Sequence, residues 1–369
     1  MSWYRRYSFW LIGLLALGCS EVIDLSVVEE GGQLVIYGNV TNIREGNFVT
    51  IFRTGDLGGE QVPVLGANVT LYDDQGQSAV FAPTDSGRYE MALNAMPRVV
   101  GGAYRLEVQI GNKRYETDPQ VMPPNYGRDL MSFELGTVKT ISSQGASIEE
   151  RVVNVFSETE FDELGEEFYL RWDLEEAYTY LGTFLPVRHF PRTFPAIQCY
   201  VINQLNEQRV FLHNGQSNRA TTIPSRLYVS RFLDKSFQTL HYFNLTRSSM
   251  TREVYDYWAE LDQIVNRQGS IFDTPPAAVE GNIRAVDSDE VVLGIFEVVS
   301  AEVTRLPVTR RAIPFFIFDE CIKMGPDRQA LTSVPRDCRQ CLIDEGLVED
   351  YCLVCGALPN STPVRPYYF

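Results

Sequence analysis

The stretch that decides the fold of this chain is residues 66–76, GANVTLYDDQG, which joins an alternating segment to a tight turn. Val69 and Leu71 are two residues apart with a polar residue between them, and side chains at that spacing return to the same face of a strand. The acidic residues and glycine at 73–76 favour a hairpin-like turn directly after this strand. The stretch therefore predicts an antiparallel strand pair with one buried face.

Further segments around this hairpin show strand-like alternation: residues 34–40, 48–52, 87–91, 104–110 and 114–117. Short strands separated by turn residues predict a small antiparallel sandwich over residues 31–118. Residues 66–91 resemble the immunoglobulin-like or transthyretin-like modules found near the start of many envelope proteins. Three prolines then mark a linker at residues 119–127.

The rest of the chain, residues 128–369, is predicted to form a larger β-rich domain with a Cys-rich tail. In residues 168–174 the even-numbered side chains are large and apolar, so they share one face of a strand. Residues 251–268 break the β pattern because Val254, Trp258, Leu261 and Val265 recur at helical spacing. The predicted fold class is all-β: an N-terminal sandwich, then a larger β-rich domain with one amphipathic helix.

The first nineteen residues predict export and lipid attachment. Arg5 and Arg6 precede a short apolar run that ends in small residues directly before Cys19. The run is too short to span a bilayer and has the layout of a secretory signal at residues 1–18. Cys19 in this position resembles the lipobox of bacterial lipoproteins, so we expect lipidation at Cys19 and an acidic tether over residues 19–30. The alternative is an ordinary signal peptide with a coincidental cysteine.

Charge limits the choice of partners. The full chain carries a formal net charge of −16, and removing residues 1–18 with Arg5 and Arg6 moves it to about −18. A strongly acidic protein repels phosphate backbones, so nucleic acid is not expected as a partner.

Six cysteines follow Cys19, and in an exported protein an even number indicates disulfides. They are Cys199, Cys321, Cys338, Cys341, Cys352 and Cys355. The pairs Cys338/Cys341 and Cys352/Cys355 also match a four-thiolate zinc site, but the loop between them is short for that use. Disulfides, zinc and free thiols all remain open, as does the pairing.

A cluster of aromatic residues is the candidate binding surface. Its members crowd a Pro-containing stretch: Tyr178, Tyr180, Phe184, Phe190 and Phe194. Exposed aromatic rings can stack on sugars or anchor a protein interface, although the same residues can fill a β core.

Catalytic chemistry has no recognisable motif in this sequence. The three histidines, His189, His213 and His241, have no metal-ligand spacing. There is no nucleophile elbow, phosphate loop or dinucleotide fingerprint. Scattered carboxylates could still form a hydrolase site. We expect no enzyme activity and no cofactor.

An ordered series of segments is similar to the Bacteroidota lipoproteins of the domain of unknown function 4249. The segments include Cys19 with residues 23–25, residues 66–89, 255–258, 269–273, 281–283, 292–296, Cys199-Tyr200 and residues 338–341. Residues 352–355 add a second cysteine pair that departs from the family pattern. The resemblance implies an outer-membrane lipoprotein, often encoded near TonB-dependent transporters, and supplies no known reaction.

The expected function is therefore that of a lipid-anchored outer-membrane protein, with Cys19 in the lipid and a TonB-dependent transporter as partner. It would act as a non-enzymatic binding or accessory subunit, and its small-molecule ligand is unknown. The alternatives are a surface glycan or peptide hydrolase and a structural envelope scaffold.

Overall fold

The computed structural model describes residues 32–55, 60–84, 86–161, 167–182, 197–205, 210–216, 221–266, 279–317, 343–344 and 349–369. Strands dominate these residues, and the predicted all-β fold class is confirmed. The strands are β1 (Leu34–Thr41), β2 (Phe48–Arg53), β3 (Val62–Pro63), β4 (Asn68–Asp73), β5 (Ser78–Pro83), β6 (Arg88–Met91), β7 (Ala103–Ile110), β8 (Lys113–Thr117), β9 (Gln120–Val121), β10 (Arg128–Ile141), β11 (Ser147–Glu160), β12 (Tyr169–Leu181), β13 (Gln198–Gln204), β14 (Phe211–Asn214), β15 (Thr222–Phe232), β16 (His241–Met250), β17 (Ile283–Ala285), β18 (Val292–Leu293), β19 (Phe296–Val308) and β20 (Ser361–Thr362).

Helical structure is limited in the described part of the chain. The α-helix α1 covers Arg252–Asn266. Short 3₁₀ turns cover Lys235–Gln238, Arg310–Ala312, Asp350–Cys352 and Cys355–Ala357.

The first sandwich is built on the hairpin that the sequence predicts. β4 pairs with β5 across the 73–76 turn, where Asp73 Oδ1 accepts a hydrogen bond from Gln77 N at 2.7 Å. From β4 the antiparallel pairing continues one way through β5, β6 and β2 to β1, and the other way through β7 to β8. Val69 and Leu71 are fully buried, as their alternation predicts.

Strands from much later in the chain complete this sandwich. β18 and the first residues of β19 pair in parallel with β1, and β17 pairs antiparallel with β8. An isolated antiparallel bridge pairs Glu280, which precedes β17, with Leu293 of β18. One apolar core lies inside this sandwich and includes Ile283, Val292 and Phe296. The first sandwich therefore contains β17, β18 and the start of β19, which lie outside the predicted residues 31–118. Pairing between segments so far apart in the chain leaves no signal within either segment.

The residues predicted as a linker, 119–127, are packed against the rest of the structure. β9 pairs with β7, and Met122 is fully buried in the first core. Gln120 Nε2 donates to the Phe296 carbonyl at 3.0 Å, and the Tyr126 ring stacks on Phe168 at 4.9 Å. These contacts make the segment an ordered crossing between two sandwiches.

The second sandwich packs a three-stranded sheet against a larger one. β10, β11 and β15 form the first of these, and in the second β12 pairs with β13, β14 and β16, β16 with β19, and β13 with β20. The even-numbered residues Leu170, Trp172 and Leu174 of β12 are buried between the sheets. This confirms the face predicted for residues 168–174.

Strand β19 joins the two sandwiches. Residues 296–299 pair with β1 of the first sandwich, and residues 300–308 pair with β16 of the second. Helix α1 follows β16 directly and packs beside this junction through Val254 and Trp258. Its predicted start is confirmed, because Thr251 Oγ1 accepts a hydrogen bond from Val254 N at 3.4 Å.

Candidate functional site: the seam between helix α1 and the first sandwich

The candidate site lies along the seam where helix α1 faces the first sandwich. β1 buries Leu34 and Ile36 in the first core, while its alternate residues Val35 and Tyr37 point to the other side. Because the side chains on this second face of β1 are also apolar, another element has to pack on them to remove them from water. Helix α1 supplies that cover in part.

Two glycines let the chain cross itself closely beneath the helix. A Cβ at Gly281 would lie 1.6 Å from the Gly294 carbonyl oxygen, and one at Gly294 would lie 2.3 Å from that of Ile36. Gly294 also has a φ of +92°, which other residues rarely adopt. Asn282 fixes the crossing, since its Nδ2 donates to the Phe296 carbonyl and its Oδ1 accepts from Phe296 N, at 2.8 and 2.9 Å.

A buried ion pair anchors the helix to both sandwiches. Glu297 of β19 is fully buried and contacts Arg171 Nη1 of β12 at 2.9 Å. Trp258 Nε1 donates to the same carboxylate at 2.9 Å, and the Arg171 guanidinium lies 4.4 Å from the centroid of the Trp258 ring. Burial opposes the charged form of Arg171, but the negative charge of Glu297 keeps the pKa of Arg171 well above its ordinary value. Arg171 therefore keeps its positive charge, and its contact with Glu297 holds Trp258 in place.

Trp258 forms part of the wall of an aromatic cavity of about 490 Å³. The edge of Tyr37 meets the Trp258 ring with the centroids 6.2 Å apart, and Tyr257 meets it from another side at 5.8 Å. Burial, together with the charge of Glu297, raises the pKa of Tyr37 well above its ordinary value, so its hydroxyl stays neutral. The full lining is Val35, Tyr37, Thr50, Phe52, Gln61, Tyr257, Trp258, Leu261, Val279, Leu293 and Gly294. A cavity of this size and composition suits an apolar group.

A second cavity of about 420 Å³ continues the seam toward the start of the helix. Tyr257 lines both cavities, so the two adjoin. Here the wall is acidic, and its members are Arg252, Glu253, Asp256, Tyr257, Glu260, Glu280, Gly281, Asn282 and Ile295. The seam therefore has an apolar half and a negatively charged half.

The predicted aromatic surface is not supported by its described members. Tyr180 is only 5 % exposed and packs beside Cys199 and Val201, so it belongs to a core. Tyr178 is half-buried, stacks on His241 at 5.2 Å, and has its pKa raised to about 12 by burial. Phe184, Phe190 and Phe194 lie outside the described residues.

Disulfide bonding is confirmed for one pair of the predicted cysteines. Cys199 of β13 is bonded to Cys355, which ties the tail to the second sandwich. Cys352 is disulfide-bonded as well. Sulfur atoms in disulfides are not thiolates, which argues against the zinc alternative at these two positions. Cys19, Cys321, Cys338 and Cys341 lie outside the described residues.

Several residues of the seam were not expected from the sequence. The sequence predicts Tyr37 and Phe52 only as strand residues, and Trp258 and Leu261 only as part of the apolar stripe of a helix. It does not predict that they line one cavity. A usable signal is present in β1, where Leu34, Val35, Ile36 and Tyr37 are all apolar or aromatic. A strand with such residues on both faces is covered on both faces.

Two further features are absent from the described part of the chain. No cluster of three or more His, Cys, Asp or Glu side chains there is arranged to hold a metal ion. Nor does any helix within it have the length and apolar character of a membrane span.

Comparison with known proteins identifies a family. None of the curated proteins and none of the solved structures matches the chain. The immunoglobulin- or transthyretin-like assignment of the first sandwich therefore stays a prediction. A family model described as Domain of unknown function (DUF4249) matches residues 20–305, which is well over half of the chain and includes β1, helix α1 and the start of β19. The chain thus belongs to the family of that domain of unknown function.

Proposed function

We propose that this protein is a lipid-anchored outer-membrane protein that acts as a non-enzymatic binding subunit, with a TonB-dependent transporter as its partner. Cys19 would hold it in the membrane, and the aromatic cavity of the seam would receive the partner. The lipid anchor rests on the signal-like residues 1–18 and the cysteine that follows them.

The observation that carries the binding role is the aromatic cavity itself. Tyr37, Tyr257 and Trp258 offer large ring surfaces that remain only half-buried in the chain. Aromatic side chains of this kind contribute strongly to interfaces because they bury much area at a low cost in conformational entropy. The ion pair beneath Trp258 fixes its ring, and preorganised rings lose less freedom when a partner binds.

Three fully buried carboxylates of the described residues are engaged by arginine side chains, which favours a structural role for these three over acid–base chemistry. Asp129, Glu176 and Glu297 each face an arginine. For Glu176, burial would raise the pKa, but hydrogen bonding to His241 and the charge of Arg231 bring it below the ordinary value. A general acid at neutral pH needs the opposite shift.

The test is purification of the native protein from outer membranes in mild detergent, followed by mass spectrometry. Wild type is compared with Cys19→Ser, with Leu261→Trp, which fills the cavity, and with Leu93→Trp as the matched control. Leu93 is 48 % exposed and lies outside the cavity wall. We expect C19S to leave the membrane fraction, and the transporter to be recovered about equally with wild type and L93W.

L261W is expected to reduce transporter recovery about tenfold, which corresponds to roughly 1.4 kcal/mol. Recovery unchanged in a folded L261W protein would contradict the role of the cavity. A wild-type protein that elutes without any transporter would contradict the accessory role. Retention of C19S in the membrane would contradict the lipid anchor.

A further inference from the structure

We infer that the seam binds an extended polypeptide segment that carries basic side chains close to apolar ones. This inference rests on the proposed binding function and names the chemistry of the partner segment. It follows from the two adjoining cavities, since one is apolar and aromatic and the other is acidic.

The acidic half has a net negative charge that the described residues do not neutralise. Its one basic member, Arg252, points to Asp256 at 3.5 Å and to Glu167 at 3.9 Å. Glu253, Glu260 and Glu280 are exposed and form no ion pair with any residue that the structure describes. Complementary charge in this half means lysine or arginine.

The apolar half selects a neutral, hydrophobic group. Its wall offers the rings of Tyr37, Phe52 and Trp258 and the aliphatic side chain of Leu261. Burying one leucine or phenylalanine side chain there is favourable because it removes apolar surface from water. A basic side chain would not be favoured in this half because the Trp258 ring already has the Arg171 guanidinium 4.4 Å from its centroid, so a second cation there would meet a like charge.

The spacing of the two halves suits an extended chain. Asp256 and Glu260 line the acidic half and Trp258 lines the apolar half, on opposite sides of helix α1, and Tyr257 lines both halves. A helix with its side chains is about 10 Å across, so the two sets of side chains are on the order of 10 Å apart. Extended polypeptide covers that distance in roughly three residues. A single small molecule would fill one half, whereas a short segment reaches both.

The test uses peptides of about 12 residues and the purified lipid-free protein. The first carries a Lys-Lys pair roughly three residues ahead of a Phe-Leu pair. In the second, Glu-Glu replaces Lys-Lys, and in the third, Ser-Ser replaces Phe-Leu. Binding is measured by fluorescence anisotropy at low and high salt. We expect the first peptide to bind at least about tenfold more tightly than the other two. The difference in affinity between the first and the second peptide should shrink at high salt, because salt screens the charges.

Protein variants separate the seam from the general acidity of the chain. Glu260→Lys with Glu280→Lys reverses charge in the acidic half, and Glu134→Lys with Glu149→Lys makes the same change on exposed residues of β10 and β11. We expect E260K/E280K to reduce the affinity for the first peptide at least about tenfold. The affinity of E134K/E149K should stay within about twofold of the wild-type value. Equal losses in both double variants, or equal binding of all three peptides, would overturn the inference.

The same variants distinguish this inference from the proposed function. If L261W loses the transporter while E260K/E280K retains it at the wild-type level, the binding function stands and the basic segment is rejected. If neither variant affects transporter recovery, both are rejected. Loss of the transporter in both variants, with retention in E134K/E149K, supports both.

Discussion

The two sandwiches of this protein have cores of different chemistry. The first is filled by apolar side chains, and the buried polar residues that β1–β9 contribute among those described are uncharged: Thr41, Thr117 and Gln120. The buried Glu297, on the part of β19 that pairs with β1, lies outside this core and contacts Arg171 at the seam. The second buries ions. Arg247 pairs with Asp129, both with fully buried side chains, and Glu176 pairs with Arg231 and contacts His241 at 3.3 Å. Apolar burial is non-directional and largely independent of pH, whereas buried ion pairs depend on geometry and protonation.

The largest expected effect comes from removing Asp129 in the second core. Its Oδ1 accepts hydrogen bonds from Trp172 Nε1 at 2.9 Å and Thr159 Oγ1 at 2.7 Å, and its Oδ2 accepts from Arg247. Asp129→Leu leaves a buried arginine short of its partner, so we expect a loss of about 3–5 kcal/mol in urea unfolding.

Glu302→Gln is the matched control for this variant. Glu302 also pairs with Arg247, but its side chain is 49 % exposed. We expect a loss below about 1 kcal/mol. If D129L and E302Q have the same free energy of unfolding in urea, buried charge does not distinguish the second core from the first.

In the first core, Leu71→Ala should lower the free energy of unfolding by about 3 kcal/mol, because Leu71 is fully buried and its truncation leaves a cavity. The cost should be the same at pH 7 and pH 4, since no ionised group is involved. Val80→Ala on the neighbouring strand, where Val80 is 66 % exposed, should change stability by less than about 0.5 kcal/mol. If the stability lost in L71A differed between pH 7 and pH 4, the first core would not be independent of pH, and the comparison between the cores would fail.

Glu175 and Glu176 allow the sharpest test of pH dependence, because adjacent residues of β12 point to opposite faces. Burial raises the pKa of Glu175 above its ordinary value of 4.5. Burial acts the same way on Glu176, but hydrogen bonding to His241 and the charge of Arg231 outweigh it and lower the pKa. Glu176 therefore stabilises the fold above about pH 4.5 and loses this effect as the pH falls through its lowered pKa. Glu175 stabilises it only while protonated, so its ionised form at pH 7 is a net cost.

We therefore expect opposite results from two glutamine substitutions. Glu176→Gln should lose about 2 kcal/mol at pH 7, with the difference from wild type shrinking below pH 4.5. Glu175→Gln should be neutral or stabilising at pH 7, because the amide oxygen can still accept from Asn244 Nδ2, now 2.9 Å from Glu175 Oε1. Urea titrations across pH 3–8 measure both. Equal losses of unfolding free energy in E175Q and E176Q at pH 7 would show that the two faces of β12 do not differ in this respect.

The smallest effect is expected where the tail touches both sandwiches. The Tyr367 hydroxyl donates to Glu45 in the loop after β1, and Arg305 Nη2 of β19 donates to that hydroxyl at 2.7 Å. Tyr367 is 52 % exposed, so Tyr367→Phe should change stability by less than about 0.5 kcal/mol. Tyr367→Ala also removes the ring beneath Arg44 and should cost about 1 kcal/mol. Thermal unfolding of both variants measures this, and a large loss in Y367F would show that the tail is central to joining the sandwiches.

The sequence by itself determined the local elements. Alternation predicted β1, β2, β4 and β12 because strand side chains alternate between faces, and helical spacing predicted helix α1. It also predicted disulfide bonding, which the Cys199–Cys355 bond confirms, although it did not predict the pairing.

Only the tertiary structure decided how distant segments combine. The return of residues 280–299 to the first sandwich depends on parallel pairing with β1, which has no signal within either segment. The same return brings Glu297 to Arg171 and places Tyr37 opposite Trp258, and so creates the seam. Local periodicity reports which face of a strand or helix is covered, whereas the partner that covers it is set by packing among residues far apart in the chain.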